Sequence, residues 1–285
     1  MKKFIILFFI ATGMFACKKD EKESAGNPSD ITNVTVQATV GGAIVKWDLP
    51  TDKNLLYVEV RYMKKDVLVI ENVSVFTNEI EIKGLLNKFE YTFDVQAFNV
   101  TADDKVGGRT ITSPKVRPIK RGINTTYSKL NVTPSMVSCY LQEPTEGPLA
   151  NLVDNNLSTY FHSAWSVGST APHYVTVTFP EDTNLGQVKF FNRQGRGTNT
   201  DGRPISIGLG TSTDGTNWTN AWTSGTLATP ADTEVSLTFD KPYSSKRFKV
   251  SFLATAKASV YVALAEMSFY KAELTDLEAL AEQTY

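Results

Sequence analysis

Residues suited to acid–base or nucleophilic chemistry are few in this sequence. The chain of 285 residues has two histidines, His162 and His173, and two cysteines, Cys17 and Cys139. It contains no H-E-x-x-H, no G-x-S-x-G and no phosphate-cradling glycine loop. Its carboxylates are scattered over predicted turns, so no pair can be nominated to flank one bond, as glycoside cleavage requires. We therefore expect a protein that is not an enzyme.

A better candidate for chemistry is the polar, glycine-rich segment 191–203. Sugar recognition needs planar donors and acceptors for pairs of hydroxyl groups, together with an aromatic face for the C–H side of the ring. The segment is long enough to shape a shallow site. Loops at one end of a rigid scaffold present variable side chains, so ligand binding is the functional hypothesis for this region.

Asp154, the Thr159 hydroxyl and Glu266 form a second group, of hard oxygen donors. Such donors suit Ca²⁺, with backbone carbonyls completing six to eight ligands. The alternative is that Asp154 only caps a turn and that Glu266 is a solvated strand residue.

The first residues are expected to fix the compartment. Lys2 and Lys3 precede an apolar run over 4–16, which is shorter than the ~20 residues that span a bilayer and is typical of a secretory signal peptide. Cys17 follows a small residue, an arrangement that resembles the lipobox of bacterial lipoproteins. Residues 1–17 are therefore predicted to be a lipoprotein signal peptide ending at a lipidated Cys17. An ordinary secretory peptide with an incidental cysteine is the alternative.

The segment 18–29 is charged and almost free of apolar residues, which predicts a flexible spacer. Acidic residues behind the cysteine resemble the surface-export signal of some Gram-negative lipoproteins. We therefore expect an outer-membrane lipoprotein, held in the membrane by its lipid anchor and exposed on the cell surface.

Charge and cysteine content narrow the partners. Without residues 1–16 the chain has 27 basic and 30 acidic side chains, a net charge of about −3. No basic stripe is present to neutralise phosphates, so no nucleic acid is expected as a partner. With Cys17 lipidated, Cys139 has no intrachain disulfide partner and is expected to be a small buried apolar residue.

Beyond the spacer, short alternating apolar runs are separated by Gly, Pro, Asn and Asp. This pattern predicts an all-β fold class with two β-sandwiches, over 30–119 and 125–272. The tail 273–285 has Leu274, Leu277 and Leu280 at intervals of three, which is compatible with a short amphipathic helix. Whether that helix docks on a sandwich or on a partner is open.

The first domain resembles a fibronectin type III domain, with an immunoglobulin-like sandwich. The resemblance is carried by an early Trp47, by the pair Leu85 and Leu86, and by a late strand over 91–99 that begins at Tyr91. Tyr91 at the head of that strand predicts a tyrosine corner, in which the hydroxyl bonds to upstream backbone. A further strand is predicted over 115–119. The resemblance implies a spacer or docking module.

Four motifs in order resemble the discoidin domain, also called the coagulation factor 5/8 type C domain. They are the segment 151–163, the strand 173–179, the turn Ser-Thr-Asp-Gly-Thr-Asn-Trp over 212–218, and the closing strand 263–270. The family implies a galactose-binding-like jelly roll. Asn155 stands where glycine is usual, a mild departure because Asn also tolerates left-handed backbone. Trp218 and Trp222 are expected to be structural.

The resemblance also implies a structural Ca²⁺ in many sugar-binding members of the family. Its ligands would be the side chains of Asp154, Thr159 and Glu266 with the carbonyls of Leu152, Asn156 and Ala265.

In sugar-binding relatives a His, an Arg, an Asn and an aromatic residue converge on the ligand, in that order along the chain. His162, Arg193, Asn199 and Tyr261 match this order, and Trp165 and Arg196 are plausible additions. Each has an alternative role. His162 could pack beneath the loop, Arg193 could pair with Asp201, and Tyr261 could be a core aromatic.

These expectations combine into a non-catalytic, cell-surface carbohydrate-binding lipoprotein. Its partner would be a glycan or glycoconjugate, captured for a polysaccharide uptake system that includes other surface proteins. Because one shallow site binds weakly, display of many copies on a membrane would raise the avidity. The rival hypothesis is an adhesin or assembly subunit whose discoidin-like loops bind a protein partner.

Overall fold

The structure, a computed structural model, describes residues 26–52, 55–100, 105–167 and 172–285. The predicted signal peptide, Cys17 and most of the predicted spacer lie outside these ranges. The chain forms two compact units. One extends to Gly122 and also takes in Asp276–Tyr285, and the other is Ile123–Thr275. Among the described residues, no helix has the length and apolar character needed to cross a membrane.

The described residues of the first unit form two antiparallel sheets. One has the strand order β1-β2-β5, and the other has the order β4-β3-β6-β7 with β8 also paired to β6. The strands are β1 (Thr32–Thr39), β2 (Gly42–Asp48), β3 (Leu55–Lys64), β4 (Val67–Ser74), β5 (Glu79–Lys83), β6 (Asp94–Val100), β7 (Lys105–Gly107) and β8 (Ile111–Thr112).

The core of this unit follows the predicted alternation. Trp47 is buried, as are Tyr91, Phe93 and Val95 on one face of the late strand. The Tyr91 hydroxyl accepts a hydrogen bond from the Leu86 backbone N–H at 3.0 Å, so the predicted tyrosine corner is present.

The predicted strand over 115–119 is wrong. This segment makes only isolated bridges, from Val116 to Tyr91 and from Ile119 to Val40. Pro114 and Pro118 lack the N–H donors that a continuous ladder needs. Tyr91 is engaged in one of these bridges, and strand β6 begins later than predicted, at Asp94.

The described residues of the second unit form an eight-stranded sheet. Six of its strands lie side by side in the order β11-β16-β12-β15-β13-β14, while β10 also pairs with β12 and β9 with β16. Register shifts after Thr178 and Leu185 interrupt the long strand β12. The strands are β9 (Ile123–Lys129), β10 (Val137–Cys139), β11 (Phe161–His162), β12 (Tyr174–Asn192), β13 (Pro204–Ser212), β14 (Thr219–Thr223), β15 (Val235–Thr255) and β16 (Ala263–Asp276). Three short 3₁₀ helices cover Pro134–Met136, Leu149–Val153 and Ala256–Ala258.

Period-two patterning positions the core of the second unit. The predicted inward set Phe248, Val250 and Phe252 is buried. Trp222 packs against Phe239 with ring centroids 4.9 Å apart, which agrees with its expected structural role. Cys139 is a free thiol that is half-buried against the core rather than fully buried.

The C-terminal tail forms helix α1 (Leu277–Gln283), and it packs on the first unit. Asp276 caps the helix by accepting from the Glu278 and Ala279 backbone N–H groups. The buried Glu278 carboxylate accepts from the Asn87 N–H at 2.7 Å and from the Arg121 guanidinium at 2.9 Å. Burial would raise the pKa of Glu278, but these hydrogen bonds hold it below its usual range. The tail is therefore a structural part of the first unit.

Glu278→Gln should destabilise the first unit by about 2 kcal/mol, because the amide keeps one acceptor and leaves a buried donor unpaired. A lowered carboxyl pKa stabilises the fold above the unfolded pKa of about 4.3, and the benefit is lost as pH falls through the folded pKa. The difference in the free energy of unfolding between wild type and variant should therefore decrease below about pH 4. Calorimetry, with hydrogen exchange identifying the first unit's transition, measures this difference.

Glu282→Gln provides the matched control. Glu282 pairs with Lys88 at 3.1 Å, but both side chains are well exposed. Its loss should change stability by less than about 0.5 kcal/mol. Equal effects of the two substitutions would show that the Glu278 contacts do not hold the tail.

Candidate functional site

Four of the predicted ligand-binding residues line one hollow at a loop end of the second unit. They are His162, Arg193, Arg196 and Tyr261, joined by Asp201, Arg203 and Ala263. The hollow itself is only about 10 Å³, room for about one water molecule. A larger ligand would therefore lie across its rim instead of being enclosed.

The His162 side chain is buried at the base of this hollow. It lies on β11, which pairs with the start of β16 at Ala263. Its Nδ1 is 2.7 Å from the Ser163 carbonyl, so Nδ1 is the donor of this hydrogen bond. Gly147, at φ 59°, allows its own backbone to lie close to that of His162. A Cβ at position 147 would be only 2.6 Å from the His162 backbone nitrogen.

The Tyr261 ring stacks on His162, with centroids 4.6 Å apart and planes at 33°. It lies just before β16 and is partly exposed. Gly202, at φ 75°, makes room for the ring, because a Cβ there would lie 2.5 Å from it. Tyr261 is therefore not a core aromatic.

The Arg193 side chain is held in place by two neighbours. Its guanidinium carbon lies 3.5 Å above the centroid of the Tyr160 ring, and its Nη1 is 4.0 Å from the Glu146 carboxylate. Glu146 also accepts a 2.7 Å hydrogen bond from the Tyr160 hydroxyl, which holds the pKa of Glu146 below its usual range. The alternative pairing of Arg193 with Asp201 is not made, since Asp201 pairs with Lys257 at 3.3 Å.

Trp165 presents a half-exposed ring beside this cluster, at 50% exposure. Its indole N–H donates to Glu146 at 3.1 Å, and its backbone N–H donates to Glu143 at 3.0 Å. Burial alone would raise the pKa of Glu143, but donors on Trp165 and Ser166 lower it to about 2. Two carboxylates thus fix the orientation of an aromatic side chain that faces solvent.

The loop 193–203 is braced from within. Arg203 is buried and donates to the carbonyls of Thr229 at 2.8 Å and Gly197 at 2.9 Å. Asn199 is not among the residues that line the hollow. Its side-chain oxygen accepts from the Asp201 N–H at 2.9 Å, so it shapes the turn.

Three positioning residues of the site were not singled out from the sequence: Glu143, Glu146 and Tyr160. Each makes its positioning contact with a residue at least 14 positions away in the chain. The sequence gives little indication of these roles. Glu143 and Glu146 lie three residues apart before the 151–163 motif, and only the fold shows which side chains they contact.

The predicted cation ligands also lie close together. The Asp154 carboxylate accepts from the Thr159 hydroxyl at 2.7 Å and from the Asn156 N–H at 2.9 Å. The Thr159 hydroxyl also lies 2.7 Å from the Asn156 carbonyl. Asn155 adopts φ 59°, the left-handed conformation expected of a residue in the usual glycine position.

Glu266 reaches the same turn from β16, where its carboxylate accepts from the Asn155 N–H at 3.0 Å. Burial raises the pKa of Glu266 to about 7, and the Asp154 charge acts in the same direction. A bound cation relieves such repulsion, so the oxygen donors present here fit a hard ion. The neighbouring Leu152 and Ala265 are fully buried.

No cluster of three or more His, Cys, Asp or Glu side chains suited to a metal occurs among the residues the structure describes. A cation at this turn would therefore depend on the Thr159 hydroxyl and backbone carbonyls as well as on two carboxylates.

Comparison with known proteins gives matches to solved structures and to family models. No curated protein matches the chain. CpGH89CBM32-5 from Clostridium perfringens, solved with GalNAc-β-1,3-galactose, is 17% identical, with a TM-score of 0.43 over 50% of this chain and 99% of its own. The family 32 CBM of C. perfringens NanJ, solved with galactose, is 16% identical, with a TM-score of 0.42 over 51% of this chain and 100% of its own. The C-terminal domain of a chitobiase from Bacteroides fragilis is 19% identical, with a TM-score of 0.42 over 52% of this chain and 99% of its own.

Two family models match successive parts of the chain. Residues 28–109 match a family described as a domain of unknown function, DUF4959. Residues 135–267 match the F5/8 type C domain. The first domain is thus a β-domain similar to that family, and the second match confirms the discoidin-like jelly roll that the sequence predicts.

Proposed function

We propose that this protein is a non-catalytic glycan-binding protein whose ligand docks at the loop end of its discoidin-like domain. The observation that carries the proposal is the convergence of His162, Arg193 and Tyr261 on one hollow beside a half-exposed Trp165. These side chains are distant in sequence, and each is held in place by contacts of its own.

The arrangement offers complementary groups for a sugar. The Arg193 guanidinium donates in a planar fork to a pair of hydroxyl groups, and His162 Nε2 accepts from a third. The Trp165 ring supplies a flat apolar face for the C–H side of the sugar ring. Because Glu146 and Tyr160 already hold Arg193, little side-chain entropy is lost on binding.

The first domain, on this proposal, is a fibronectin type III-like spacer. Its tyrosine corner and its three- and five-stranded antiparallel sheets support that interpretation. A lipid on Cys17 anchors the chain in the outer membrane, with both domains on the cell surface. A weak single site then works through many copies held on one membrane, which retain polysaccharide near the other proteins of an uptake system.

The turn 154–159 and Glu266 hold a structural Ca²⁺ on the same proposal. Asp154, Thr159 and Glu266 contribute side-chain oxygens, and Leu152, Asn156 and Ala265 contribute carbonyls. The ion ties the early loop to β16, the strand that follows Tyr261. Its role is to stabilise the loop end and not to react.

Arg193→Ala should weaken binding of the best ligand on a glycan array by at least about tenfold, or ~1.4 kcal/mol. Arg193→Lys should recover only part of that affinity, because an ammonium keeps the charge but not the planar fork. Titration calorimetry with the array-identified glycan measures both variants.

Arg117→Ala is the control, since Arg117 is a surface arginine of the first domain that pairs with Glu90 at 3.4 Å. It should bind like wild type. Uniform absence of binding across the array would favour the rival protein-binding role, and unchanged affinity in Arg193→Ala would remove the loop site.

Calcium should raise the melting temperature of the second unit relative to chelator. At a hundredfold excess over Kd a single site adds about 2.7 kcal/mol, equivalent to several degrees for a domain of this size. Asp154→Asn should abolish the shift, whereas Asp240→Asn, at an exposed carboxylate bonded to Tyr243, should keep it. Identical melting curves in calcium and chelator would rule the ion out.

Cys17→Ala should release the protein from the membrane fraction of its native host, because the acyl chains supply the anchoring energy. Wild type should remain in the outer-membrane fraction and be cleaved when intact cells are treated with protease. Protection of the wild-type domains until the cells are lysed would place the anchor on the inner face.

A further inference from the structure

The outer face of the second unit carries a group of aromatic and cationic side chains that the loop site does not use. The register of four adjacent strands places Ser138, Thr176, Lys249 and Gly210 in one row, on β10, β12, β15 and β13. The residues that alternate with them, such as Val177 and Val250, point into the core and are buried. This row therefore faces away from the core.

Three aromatic rings lie around this row. Tyr140, which is 39% exposed, stacks near Tyr174 with centroids 5.6 Å apart. Trp218, expected from its motif to be purely structural, is only partly buried. It lies over Gly210, whose missing side chain leaves space at the surface, since a Cβ there would be 3.6 Å from the indole. We call Tyr140, Tyr174 and Trp218 the aromatic platform.

One cation, Lys249, lies over the platform, and a second, Arg247, lines the cavity beside it. The Lys249 ammonium is 5.3 Å from the centroid of Tyr174 and 5.0 Å from that of Trp218, so one charge contacts two rings. Arg247 donates to the Thr213 carbonyl at 2.6 Å. Within the described ranges neither Lys249 nor Arg247 has an acidic partner within ion-pair distance. Burial also lowers the pKa of Lys249, so a nearby anion would stabilise its charged form.

The space beside these groups is larger than the loop hollow. A cavity of about 250 Å³ is lined by Tyr174, Trp218 and Arg247, with the hydroxyl groups of Ser138, Thr176 and Thr178. Partly exposed rings, a row of hydroxyl groups and two cations without an acidic partner are complementary to a saccharide that bears negative charge.

We propose that the aromatic platform is a second binding site, separate from the loop end, for an anionic oligosaccharide. The rings pack against sugar C–H faces, the hydroxyl groups bond to sugar hydroxyls, and Lys249 and Arg247 pair with a carboxylate or sulfate. A polyphosphate ligand fits less well, because the chain has a formal net charge of −1 and has no basic stripe. The inference does not depend on the function proposed for the loop site.

The test uses the full chain carrying Arg193→Ala, so that the proposed loop site does not contribute, and three tetrasaccharides of equal length in titration calorimetry. Tetragalacturonate supplies carboxylates, a carrageenan tetrasaccharide supplies sulfates, and β-1,4-galactotetraose is neutral. At least one charged probe should bind, and it should bind more tightly than the neutral one, with an affinity that falls as salt is raised. The preferred charged probe identifies the anionic group.

Lys249→Glu should weaken the charged probe by about tenfold or more, and Tyr140→Ala should weaken it without changing the net charge. The matched control is Lys241→Glu, which makes the same charge change on an exposed lysine over another ring, Tyr243, at 5.5 Å. It should alter binding by less than about twofold. Unchanged melting temperatures verify that the variants are folded.

Three results would overturn the proposal. They are failure of both charged probes to bind at millimolar concentration, equal binding of the neutral probe, and equal losses in Lys249→Glu and Lys241→Glu.

Discussion

The antiparallel pairing of β12 with β16 is the constraint on which the loop end depends. The register sets Phe191 opposite Glu266 and Asn192 opposite Leu264. The pairing continues one step further through the Arg193 N–H, which donates to the Ala263 carbonyl at 3.2 Å. β11 then adds to the other edge of β16 and brings His162 opposite Ala263. One pair of strands thus places Arg193, Tyr261, His162 and Glu266 at the same end of the domain. A shift of one residue would turn these side chains to the opposite face.

At this end of the domain, the carboxylates of Glu143 and Glu146 hold the side chains that face solvent in fixed orientations. Glu143 is almost fully buried, and its acceptors are filled by the donors of Trp165 and Ser166. Glu146 links Tyr160, Trp165 and Arg193. Since a buried carboxylate without donors would be costly, this network specifies one arrangement of the loop. The exposed Trp165 ring is consequently preorganised, and a ligand would meet a surface that is already ordered.

Much of the fold follows from local sequence patterns. Alternation of apolar and polar residues predicted the inward faces of β6, β12 and β15, and the position of Tyr91 predicted the tyrosine corner. Both features depend on residues close together in the sequence. The ordered motifs over 151–270 indicated the discoidin-like domain. The strand predicted over 115–119 was wrong because Pro118 within it and Pro114 just before it interrupt pairing. The docking of α1 on the first domain could not be predicted, since it depends on Glu278 meeting Asn87 and Arg121 across more than 150 residues.

The site was only partly predictable for the same reason. The resemblance nominated His162, Arg193 and Tyr261, which the fold brings together, but it also nominated Asn199, which serves the turn instead. Glu146 and Arg203 act through distant partners and leave no local pattern. Likewise, the aromatic platform appears only when four strands are in register, because Tyr174 lies on β12 while Tyr140 follows β10 and Trp218 precedes β14.

Hydrogen exchange on the full chain, with and without a saturating neutral glycan, tests whether a glycan docks at the loop end set by β12 and β16, because it locates the ligand on the molecule. Docking there predicts slower exchange in peptides covering 143–147, 160–166 and 193–203, with the first domain unchanged. Protection confined to the first domain, or no protection at saturation, would contradict it.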